Sequence, residues 1–71
     1  MDIAAIEYIL NQCKKDKTGV NISIKEGNGP YIDFGEIGAE FSVRPEMHLL
    51  IIETEAGTHF IDSQSITSMH I

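Results

Sequence analysis

The chain has no tryptophan, one cysteine, two prolines and only five basic residues among its 71. With Cys13 alone, no internal disulfide can form, and no Cys/His spacing of a structural zinc site is present. Five Lys and Arg against eleven Asp and Glu leave a formal charge of −6. That sign repels phosphate backbones in general, so DNA is not an expected partner. No apolar run approaches the roughly 20 residues of a membrane span, and no signal or transit pattern is read at the start. A soluble, reducing, cytoplasmic setting is the expectation, without a membrane partner.

What is present is the composition of an ordinary folded protein, 42% hydrophobic, read as one domain over residues 1–71. Chains this short bury only about 60% of their unfolded surface. Without disulfides or metal, association between copies is the expected source of further stability.

Over about residues 2–15, Ile3, Ile6, Ile9, Leu10 and Cys13 share one helical stripe, opposite Glu7, Asn11 and Lys14. Asp2 suits the N-cap, Lys14, Lys15 and Lys17 suit the negative end of the dipole, and Thr18-Gly19 is the expected stop. The lysines also form a local basic patch. Cys13 falls on the apolar stripe and reads as a core thiol.

Five strands are expected after the helix, at about 19–26, 31–43, 47–55, 58–63 and 66–71. Val20, Ile22 and Ile24 alternate with polar residues in the first. Gly27-Asn28-Gly29-Pro30 reads as a turn. In the long second strand Gly35 and Gly38 interrupt the alternation, as at a bulge or sharp bend. Glu55-Ala56-Gly57 provides a hairpin turn, and Asp62-Ser63-Gln64-Ser65 a polar kink before the last strand. Short connections favour antiparallel pairing of neighbours, and the bent second strand predicts a mainly β fold, a strongly bent sheet forming a small open barrel.

A helix followed by five short bent strands, the last two separated by one polar turn, resembles the Sm-like family, which includes the bacterial Hfq proteins. Gly35-Glu36-Ile37 and Met47-His48-Leu49-Leu50-Ile51 look like parts of that family's first motif, and Phe60-Ile61-Asp62-Ser63-Gln64-Ser65-Ile66 occupies the place of the second. The resemblance implies a homomeric ring, from pentamer to heptamer. Its subunit contact would use Thr58, Phe60 and Ile61 of the fourth strand against Ile66, Met69 and Ile71 of the fifth. It also implies binding of single-stranded RNA, as in a riboregulator or RNA chaperone. The family's stacking, asparagine and arginine positions fall on Glu46, His48 and Asp62, and its pore-lining lysine and histidine fall near Ser63 and Gln64. Glu46 offers no stacking surface and Asp62 reverses the arginine's charge, whereas His48 keeps base-contact chemistry. The alternative is an acidic, ring-forming adaptor that binds a protein or small ligand instead of RNA.

Other constellations point away from catalysis. His48, His59 and His70 lie on three expected strands without the spacing of a ligand pair, so no metal is expected. Asp33, Glu36 and Glu40 read as a solvated face. No nucleophile stands beside a base and no Gly-rich loop opens a helix, so neither an enzyme nor a cofactor is expected.

Overall fold

Helix α1 (Ile3–Asp16) forms where the apolar stripe lies, burying Ile6, Leu10 and Cys13 in a computed structural model that describes residues 1–35 and 39–71. Asp2 is extended, and its Oδ1 accepts from the Ala4 N–H at 3.2 Å, satisfying one of the free donors of the first turn. The stop differs from expectation. Lys17, not Gly19, takes the left-handed conformation (φ 55°, ψ 36°). Lys17 N donates to Lys14 O at 3.3 Å and Thr18 N to Cys13 O at 3.0 Å, so a Schellman closure forms without glycine. Gly19 has another use: a Cβ there would fall within the Tyr31 ring.

Among the described residues six strands follow rather than five: β1 (Gly19–Ile24), β2 (Gly27–Asp33), β3 (Glu40–Arg44), β4 (Leu49–Thr54), β5 (Gly57–Asp62) and β6 (Ile66–His70). They make two three-stranded antiparallel sheets, ordered β2-β1-β6 and β3-β4-β5, and among the described residues neither closes into the expected barrel. The strand expected over 31–43 is thus two strands. β4 starts at Leu49 rather than Met47, and β5 ends at Asp62 rather than Ser63, because Pro45–Met47 and Ser63–Ser65 fold as 3₁₀ turns. Glu36, Ile37 and Gly38, which carry part of the first motif and one expected glycine break, lie outside the described residues. Gly35 lies in the turn after β2, its N–H donating to Asp33 Oδ1 at 2.8 Å.

The expected turn at Gly27–Pro30 belongs to β2 instead. The chain reverses one step earlier, at Lys25-Glu26, because Gly27 adopts φ 143°, which side-chain-bearing residues avoid. The β4–β5 hairpin repeats the device, with Glu55-Ala56 followed by Gly57 at φ 137°. Pro30 is tolerated inside β2 for two reasons. β2 is an edge strand, and its register against β1 slips between Asn21 and Ser23, which face Tyr31 and Asn28. That bulge absorbs a residue with no N–H to give.

Val20 and Ile22 of β1, Ile32 of β2, Leu50 and Ile52 of β4 and Ile66 of β6 join the helical stripe in one core. Phe34, just past β2, meets Phe41 of β3 edge to face, with centroids 5.9 Å apart, and ties the two sheets together. Helix α1 rests against β1, β3 and the second 3₁₀ turn. Its C-terminal Lys14 pairs with Glu40; both side chains are exposed, so the pair contributes at most about 1 kcal/mol. Among the described residues, no helix is long and apolar enough to cross a membrane.

Candidate nucleic-acid interface

The two 3₁₀ turns come together in space. Pro45 opens the first, where its fixed φ costs nothing. His48 ends it in the left-handed region (φ 51°, ψ 38°), its N–H donating to Pro45 O at 3.1 Å. Histidine is one of the few residues enriched there. The second turn is capped by Asp62, whose Oδ1 accepts from Gln64 N at 2.9 Å, while Ser65 Oγ donates to Asp62 O at 2.7 Å.

Backbone bonds lock the turns together. Ser63 N donates to His48 O at 2.8 Å. The Met1 amino group donates to Ser63 O at 2.9 Å and to Ile66 O at 2.7 Å, bringing the start of α1 to the same place. Lys25 N donates to Ser65 O at 3.0 Å, which adds the β1–β2 turn. The result is an open concavity of about 550 Å³ lined by His48, Gln64, Lys25, Asp2, Pro45 and the first residues of the chain.

Of the residues singled out in the sequence, His48 and Gln64 meet in this concavity although sixteen positions separate them. Ser63 has a buried side chain and reaches the site through its backbone. The Asp62 carboxylate is occupied as a cap, and Glu46 is exposed on the first turn, outside the lining. Lys25 and Asp2 were not singled out as binding residues. Their only sequence signals were local, a polar position of the first strand for Lys25 and a cap for Asp2.

The expected contact residues lie at or just past two sheet edges. β5, with Thr58, Phe60 and Ile61, is the outer strand of one sheet. β6, with Ile66 and Met69, is the outer strand of the other, and Ile71 follows it. Phe60 and Ile71 are two-thirds exposed, at 67% and 66%, whereas Ile66 is buried and Ile61 and Met69 pack partly against the core. Elsewhere, His59 shares a smaller hollow of about 310 Å³ with Tyr31, Asp33 and Glu55. Among the described residues, no three His, Cys, Asp or Glu side chains gather as a metal-holding group. Asp33 and Glu40 of the expected acidic face lie on different sheets.

No protein-family model matches the chain, no curated protein matches it, and no solved structure matches it.

Proposed function

We propose that this chain is a divergent Sm-like protein that assembles into a ring of five to seven copies and binds single-stranded RNA in the concavity of His48 and Gln64. β2 and β3 then correspond to the two halves of one bent strand, and the strands run β6-β1-β2/β3-β4-β5 as a small open barrel. Its free edges are β5 and β6, neighbours in sequence that do not pair with each other. Pairing β5 of one copy with β6 of the next would satisfy both edges, and a rotation that closes would yield a ring rather than a fibre.

The observation that carries RNA binding is the shared concavity. Its volume lies within the range of small-ligand clefts, about 300–1,000 Å³. An imidazole stacks on a base or bonds to its edge, and the Gln64 amide offers both a donor and an acceptor. Repeated around a ring, individually weak sites add through effective concentration.

Anisotropy titration of the assembly with labelled oligo-U and oligo-A RNA tests this. Binding that persists at physiological salt, and that weakens at least about tenfold in the His48→Ala, Gln64→Ala double variant, is expected. Unchanged affinity in that variant would remove RNA from the concavity. Absence of binding even at low salt would favour the acidic adaptor, with a protein or small ligand as partner.

A further inference from the structure

Cations that meet the phosphates supply much of the affinity for RNA, and the structure narrows the choice of cation in this acidic chain. Of the five Lys and Arg residues, Lys14 pairs with Glu40, and Arg44, one N–H of which donates to Val43 O at 3.1 Å, stands outside the lining of the concavity. Lys15 and Lys17 sit at the far end of α1, whose first residues line the concavity. From Ile3 to Lys14 the helix rises about 17 Å at 1.5 Å per residue. That is about two screening lengths at physiological salt. The helical lysines are therefore too distant to hold a phosphate seated against His48 and Gln64.

Lys25 is the one of the five that lines the concavity. Its position is fixed by structure: the β1–β6 register slips between Ser23 and Ile24, and the Lys25 N–H bonds to Ser65 O. The Met1 amino group also lies in the lining, held by its bonds to two carbonyls while keeping its charge. Asp2 brings a carboxylate into the same lining, with Oδ1 occupied by Ala4 N.

Building on the RNA reading above, we propose that Lys25 is the phosphate-binding residue of this concavity and that Asp2 is the opposing charge that weakens each site. An incoming phosphodiester meets two ammonium groups, Lys25 and the Met1 amino group, against one carboxylate, so net attraction per copy is modest and gains from repetition around the assembly.

The test is anisotropy of the full chain with labelled oligo-U RNA across a salt series. Lys25→Gln is expected to weaken binding about tenfold near 0.1 M salt and to flatten the slope of log K against log salt by about 0.7 per phosphate lost. Lys25→Arg should restore both, and Lys15→Gln should change neither. Asp2→Asn keeps a good N-cap while removing the charge, and should tighten binding roughly two- to fivefold. If the wild type binds and Lys25→Gln keeps both affinity and slope, the Lys25 assignment is overturned while RNA binding stands. If the wild type does not bind, both are overturned. Weaker binding by Asp2→Asn would overturn the role given to Asp2.

Discussion

The two sheets turn on the same hairpin, two ordinary residues and then a glycine at positive φ, yet they are otherwise built differently. In the β3-β4-β5 sheet every residue of β4 from Leu49 to Glu53 is matched on both sides without a slip. Alternation is clean there: Leu50 and Ile52 are buried, and Phe60 and Ile51 stand opposite each other on the outer face. In the β2-β1-β6 sheet, β1 slips against both neighbours. The first slip accommodates Pro30, and the second accompanies the turn that delivers Lys25 to Ser65. A ladder without a slip leaves β5 an uninterrupted outer edge. Irregularity steers a backbone turn towards the 3₁₀ turns and so completes the concavity.

The largest effect should separate the sheets by their rigidity. Leu50→Ala, at the centre of the regular ladder, is expected to cost about 3 kcal/mol in urea unfolding. Ile22→Ala in β1 should cost about 1 kcal/mol less, because a strand with slips on both sides collapses more readily into the space left. Equal losses would mean that the bulged sheet is as stiff as the regular one.

Phe60→Asp probes the edge of the regular sheet. Its side chain is 67% exposed, so the fold of one copy should change by less than about 0.5 kcal/mol. The assembly, by contrast, should dissociate, as read by light scattering. An assembly that survives unchanged would move the contact away from β5.

Next come the two turn glycines. A Cβ on Gly27 or Gly57 would meet no atom within 4 Å, so only the backbone conformation opposes it. Gly27→Ala and Gly57→Ala should each cost about 1 kcal/mol in thermal or urea unfolding. A clear inequality would show that the hairpins are not equivalent. The smallest effect has the opposite sign: Lys17→Gly relieves a left-handed lysine and should stabilise the fold by about 0.5–1 kcal/mol.

Much of this architecture was legible in the residues. Helical spacing located α1 and its buried Ile6, Leu10 and Cys13, and the alternation and turn residues around Glu55-Ala56-Gly57 located the β4–β5 hairpin. Gly27–Pro30 misled, because glycine and proline mark bulges as well as turns, and only pairing with β1 distinguishes them. The 3₁₀ turns at Pro45–Met47 and Ser63–Ser65 took in Met47 and Ser63, terminal positions of two expected strands. In the site, His48 and Gln64 were reached by resemblance. Lys25 was not, since its place depends on a register slip between strands far apart in sequence, and alternation within one strand carries no trace of it.

The most direct measurement is the native mass of the full chain at micromolar concentration. A closed assembly of five to seven copies, each of 7.9 kDa, is expected. A 7.9 kDa monomer would contradict edge pairing through β5 and β6, and with it the ring on which the proposed RNA binding depends.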